Sequence, residues 1–211
     1  MMKAVRWPLV VAALVGPVAC AGTGPPQEGT PPQNQQATQP VVPLACVPST
    51  RMPVAGRASP YDSVDIRVGN RTARICYGRP SRNNRQIFGG LVPYDSLWRT
   101  GANEPTIIHL PFNAQIAGLT VPAGSYSLYT IPKQGGEWTL IINRSTSQWG
   151  HPSSYTGAIQ AQELGRTPIR TEALNSDIEQ FTIRSASSGA DRADILLEWE
   201  RTRVRIPISA A

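Results

Sequence analysis

A chain of 211 residues has room for one sizeable core plus tails and little room for two, because a domain takes roughly 100 to 200 residues. Its 20 Pro and 18 Gly, against only 16% charged residues, exclude a bundle of long helices and favour a turn-rich fold. The formal charge of +6 rests mostly on scattered Arg residues (Arg67, Arg71, Arg74, Arg79, Arg82, Arg85, Arg99) with no Lys/Arg run of the kind that tracks phosphates, which weighs against nucleic acid as a partner.

Residues 1–20 begin with Lys3 and Arg6, continue through an apolar stretch from Trp7 to Val15 and end on small residues and Cys20. That stretch is too short to span a bilayer as a helix and reads as a secretory signal, so the protein is expected to be exported to the cell envelope. Val18-Ala19-Cys20 resembles a bacterial lipobox, in which the cysteine becomes the lipid-bearing first residue of the mature chain. Pro17 stands where a lipobox usually has an aliphatic residue, so cleavage after Ala21, giving a periplasmic protein, is the alternative. Removal of Lys3 and Arg6 leaves only a mild positive charge. Cys46 and Cys76 remain, to be read either as a disulfide in an oxidising compartment or as two free thiols.

From residue 21 to 58 the chain is rich in Pro, Gln, Thr and Gly and nearly without aromatic residues. Such a segment buries too little apolar area to order itself and is expected to be a disordered, semi-rigid tether. A single domain is expected over 59–211. It opens where Val64, Ile66 and Val68 alternate with polar neighbours, the period of a half-buried strand, and Gly69-Asn70 turns the chain into a second strand from Thr72 to Tyr77. Further strands are predicted at Thr106 to Leu110, Ala114 to Ile116, Tyr126 to Ile131, Trp138 to Asn143, Gln180 to Ser185, Asp194 to Trp199 and Arg203 to Ile208, with Gly-rich connections after Ile131 and Ser185 reading as hairpin loops. The only helix-compatible pieces are Asp95 to Arg99 and Tyr155 to Glu163. The expected fold is therefore all-β, an antiparallel β-sandwich or jelly-roll-like domain with at most one or two short helices.

Three segments are distinctive: Tyr77-Gly78-Arg79-Pro80 with Arg85 and Phe88-Gly89-Gly90 after it; Leu97-Trp98-Arg99-Thr100-Gly101-Ala102-Asn103-Glu104; and Val121-Pro122-Ala123-Gly124-Ser125-Tyr126-Ser127-Leu128. On these, together with Trp138 to Asn143 and Trp199-Glu200-Arg201-Thr202, the chain from Ser59 onward resembles a bacterial family known as domain of unknown function 2911. The resemblance implies no activity.

The chemistry of the same loops gives a candidate ligand site. Arg79, Arg85, Trp98, Arg99, Asn103 and Glu104 combine guanidinium forks, an amide, a carboxylate and an aromatic ring, the mixture that grips a sugar, a carboxylate or a peptide. Trp149-Gly150-His151 is a second loop element of this kind. The competing reading is architectural: Arg and Glu in neighbouring loops pair to satisfy loop backbone, and Trp98 plugs an end of the core. No HExxH, GxSxG, phosphate-binding loop or CxxC pattern occurs, so no catalytic residue, metal ligand or cofactor is assigned; a dyad of Glu104 and His109 can be drawn on paper, against which stands the rule that a lone His on a strand is usually structural or merely exposed. The leading expectation is a non-catalytic binding or structural module tethered to the membrane by an N-terminal lipid, engaging a glycan or an envelope protein. The alternative is a hydrolase acting on an envelope glycan or peptide polymer with Glu104 as acid or base.

Overall fold

A computed structural model describes residues 41–211. The expected signal segment, the lipidation site Cys20 and the first part of the tether lie outside the described residues. The fold is all-β and antiparallel: β1 (Tyr61–Val68), β2 (Arg71–Gly78), β3 (Thr106–Leu110), β4 (Ala114–Ile116), β5 (Leu119–Val121), β6 (Gly124–Ile131), β7 (Glu137–Asn143), β8 (Glu163–Gly189) and β9 (Arg192–Ala210). They form one hydrogen-bonded sheet in the order β1-β2-β3-β6-β7-β8-β9-β4-β5. One short helix, α1 (Gly157–Gln160), falls inside the segment expected to tolerate one. The other helix-compatible piece forms no helix. There Trp98 exchanges both backbone hydrogen bonds with Thr130, at 2.8 and 2.9 Å, and so becomes an extra rung on β6.

The sheet covers itself by curling. β8 pairs with β7 along its first half. Beyond the bend, its Phe181 N–H donates to the carbonyl of Pro80 and its Glu179 carbonyl accepts from the Arg82 N–H, at 2.9 and 2.7 Å, both on the chain that leaves β2. β2 and β8 are four places apart in strand order, so these bonds require the sheet to curl until its β1–β2 end meets the bent part of β8. The bend is made in the β8–β9 ribbon, where register shifts fall between Ala173 and Ile178 and between Ile178 and Thr182, and Glu200 adopts φ 54°; irregularities of this kind let one strand serve two layers. The strands expected separately at Gln180 to Ser185, Asp194 to Trp199 and Arg203 to Ile208 are therefore parts of two long ones.

Alternation puts Ile66, Val68, Ala73, Ile75, Tyr77, Ile108, Leu110 and Leu128 in one core with Phe181, Ile183, Ile195, Leu197 and Trp199 from the bent ribbon. Alternation also aims Arg74 and Cys76 at the opposite face of β2, yet Cys76 is fully buried. What covers it is residues 41–58. Cys46 forms a disulfide with Cys76, the carbonyl of Leu44 accepts from Arg74 at 3.2 Å, and Arg57 forms an ion pair with Glu104. The expectation of a free tether up to residue 58 is thus corrected over residues 41–58, which lie on the domain although they contain neither strand nor helix. A covalent bond and one buried ion pair hold what apolar burial alone would not.

Candidate functional site

The loop between β2 and β3 crosses the end of the core and returns as Trp98 to Glu104. Its backbone is forced close to β2: a Cβ on Gly78 would stand 2.2 Å from the carbonyl oxygen of Ala102, so only glycine allows the contact. Thr100 and Asn103 sit at φ 55° and 64°, a conformation a β-branched residue such as Thr100 adopts only when its surroundings impose it. Those surroundings are visible. Thr100 is fully buried, its hydroxyl donates to Thr130 Oγ1 at 3.2 Å, and its carbonyl accepts from Thr106 Oγ1 at 2.6 Å.

A second loop, following β7, closes over the first. Gly150 donates its N–H to the carbonyl of Asn103 at 3.1 Å and accepts from Arg99 Nη1 at 3.3 Å; a Cβ there would collide with Arg99 Cδ and the Asn103 carbonyl at 2.3 Å each. Behind this loop stands a buried polar network. Gln148 Nε2 donates to Ser127 Oγ and Tyr129 OH at 3.1 and 3.0 Å, and Asn143 Oδ1 accepts from the Ser145 N–H at 2.8 Å. Burial pushes the Tyr129 phenol up to about 12, so it stays neutral in this network.

Between the two loops and the segment after β2 lies a cleft of about 510 Å³, within the range of small-ligand sites. Arg85, Trp98, Arg99 and Asn103, expected from the sequence to act together, all line it, and so does His151. Trp98 is its floor rather than a free platform: it is 6% exposed, stacked 5.9 Å from Trp199, with Nε1 donating to the Gly101 carbonyl at 3.1 Å. Arg85 is fixed by its own loop, Nε and Nη2 donating to the carbonyls of Arg82 and Ser81 at 2.9 and 2.7 Å. Arg99 is the exception to this satisfaction. Among the described residues its Nε is the buried side-chain polar atom without a hydrogen-bond partner, and burial pulls the guanidinium below its ordinary value.

Two of the expected site residues go elsewhere. Arg79 donates to Asp62 Oδ2 at 2.8 Å and to Thr182 Oγ1 at 3.3 Å, pinning β1 to β8. Glu104 accepts from both Nη atoms of Arg57, at 2.9 and 3.0 Å, and from the Ser49 N–H at 2.7 Å. His109, drawn with Glu104 as a dyad on paper, instead places Nδ1 2.8 Å from Ser125 Oγ. Sequence reading missed that His151 joins the first loop and that Arg57 takes Glu104. The signal for the latter was one of two Arg residues, Arg51 and Arg57, in a stretch punctuated by Pro, which has no periodicity to mark either. Among the described residues no group of three or more His, Cys, Asp or Glu side chains is placed to hold a metal ion.

No curated protein and no solved structure matches the chain. A family model does, over residues 59–208, which takes in both loops of the cleft and all but the last two residues of the bent ribbon. The chain belongs to the family described as protein of unknown function, DUF2911.

Proposed function

We propose that this is an exported protein, lipid-anchored at Cys20, whose β domain is a non-catalytic binding module that holds a carboxylate-bearing ligand, an acidic glycan or a peptide terminus of the envelope, in the cleft between the two loops. The observation that carries the reading is Arg99: a cleft-lining guanidinium with a buried, unpartnered Nε. An unsatisfied buried donor costs about 1 to 3 kcal/mol; Nε itself is closed to solvent, so a carboxylate in the cleft meets the rest of the guanidinium and relieves Nε by drawing the side chain outward. Arg85, Asn103 and His151 supply further polar groups around it, and Leu91, Val92, Pro93 and Pro152 supply apolar wall, so the ligand has an anionic end and a carbon body. Both carboxylate oxygens of Glu104 are engaged by Arg57 and Glu104 does not line the cleft, which leaves the hydrolytic reading without the carboxylate it named.

Titration of the purified domain with N-acetylmuramyl dipeptide, galacturonic acid and succinate, followed by the fluorescence of the Trp98–Trp199 pair, tests the reading. Saturable binding lost in Arg99→Lys, which keeps the charge and removes the fork, supports it; no response to any of the three, or a response that Arg99→Lys leaves intact, refutes it. The anchor is tested separately by metabolic labelling with a palmitate analogue, where the wild type takes up label and Cys20→Ala does not. An unlabelled wild type would leave cleavage after Ala21 in its place.

A further inference from the structure

The strap formed by residues 41–58 is fastened only in part by its apolar side chains. Val42 and Leu44 are half-buried, but Val41, Val47, Met52 and Val54 are 93%, 82%, 39% and 45% exposed, so only modest hydrophobic free energy opposes its departure. Its holds are the disulfide, the Leu44 carbonyl on Arg74, and Arg57. The last is the most elaborate. The Arg57 side chain is 1% exposed and that of Glu104 8%, with the guanidinium fork meeting the carboxylate at both oxygens. Carbonyls of Met52 and Pro53 take further guanidinium N–H groups at 2.6 and 2.9 Å, and the Tyr61 ring lies 6.0 Å from the guanidinium carbon. A carboxylate fork beside an aromatic ring, screened from water, is how an arginine side chain is recognised between proteins. Glu104 and Tyr61 fall inside the region matched to the family, whereas Arg57 falls outside it.

We propose that Glu104 and Tyr61 form a guanidinium receptor that the strap fills in cis through Arg57, and that displacement of the strap opens this receptor to an arginine side chain of a partner protein. The receptor is distinct from the anion cleft, since Glu104 does not line it, and the two assignments stand or fall separately. Arg57 stands just before β1, which carries Tyr61, and the Cys46–Cys76 disulfide holds the other end of the strap, so that Arg57 competes at high effective concentration and an outside arginine is excluded while the strap is down.

The test is chemical rescue in the full chain. Arg57→Ala lowers the melting temperature, and millimolar N-ethylguanidinium restores more than half of the loss, whereas equimolar ethylammonium or NaCl does not. A fluorescent arginine peptide binds Arg57→Ala on the order of tenfold or more tighter than it binds wild type, because the receptor is vacant in the variant. Adding Glu104→Gln to Arg57→Ala abolishes both effects. Absence of selective rescue, rescue that survives Glu104→Gln, or equal peptide binding by wild type and variant each overturns the proposal. If Arg57→Ala does not accumulate as folded protein, the same comparison is made on the yield of soluble protein refolded with and without N-ethylguanidinium.

Discussion

Glu200 combines a strained backbone with a satisfied side chain. At φ 54° any residue with a Cβ is held in a costly conformation, and from there its carboxylate accepts the N–H groups of Ile87 and Phe88 at 3.0 and 3.3 Å. These bonds fix the segment that carries Arg85 and walls the cleft. Glu200→Ala keeps the strain and strips two donors of their acceptor, at an expected cost of about 2 kcal/mol; Glu200→Gly loses the same acceptor but releases the strain, and its urea midpoint should fall less. His109 makes a prediction of opposite kind, about pH. Burial first, and the nearby Arg74 guanidinium second, hold its pKa below the ordinary 6.5, so the unfolded chain takes the proton more readily than the folded one. The resulting stability is fully present above 6.5 and is lost as the pH falls from there through the folded pKa. His109→Gln should therefore show a smaller drop in melting temperature between about pH 7.5 and 5.5 than wild type.

Among elements, β1 and β3 were legible in the sequence because their two faces differ and they show a period of two. β6 and β7, buried on both faces over most of their length, were legible instead as short aromatic and β-branched runs bounded by turns; the predicted limits hold to within a few residues. The first half of β8 was not legible, because Pro168 interrupts it and few of its residues are buried. β5, as short as β4 at three residues, is absent from the expected strands, its last residue Val121 reading as part of the Pro122-Ala123-Gly124 turn. The motif around Trp98 announced that something unusual occurs there, but not what it meets: the Arg99 side chain bonds to Gly150 51 residues away, and Arg57 reaches Glu104 across 47. Such convergence is a property of topology, to which local periodicity is blind. The same limit applied to the cysteines, left open in the sequence and paired in the structure over a separation of 30 residues. Closing a loop of that length restricts the unfolded chain by about 3 to 4 kcal/mol on the chain-entropy account. A Cys46→Ser, Cys76→Ser double variant should lose about that much in urea unfolding under non-reducing conditions. A midpoint equal to wild type would mean that the strap gains nothing from its covalent hold.

At the scale of the whole molecule, the folded unit begins before the family boundary. A chain starting at residue 59, where the family match begins, keeps every strand and the entire core but loses Arg57, Ser49 and Cys46 together. Glu104, 6% exposed beneath the strap, then loses the guanidinium and backbone N–H that balance it and gains some access to water, so the ceiling on the cost is about 3 to 5 kcal/mol, that of removing one partner from a fully buried pair. With the disulfide gone as well, the fragment 59–211 should melt roughly 10 °C or more below 41–211, at about 2 to 4 °C per kcal/mol for a domain of this size. Loss of packing area alone would also lower the melting point, so the decisive measurement is a change of sign. In 41–211, Glu104→Gln removes one member of an intact ion pair and destabilises. In 59–211 the same substitution replaces an unpaired, half-shielded charge by a neutral amide, which is cheaper to hold at a site still walled by protein on one side, and should raise the melting temperature. If Glu104→Gln destabilised both chains, water or another group must satisfy the carboxylate once the strap is absent, and Arg57 would be a passenger on the domain rather than the residue that completes it.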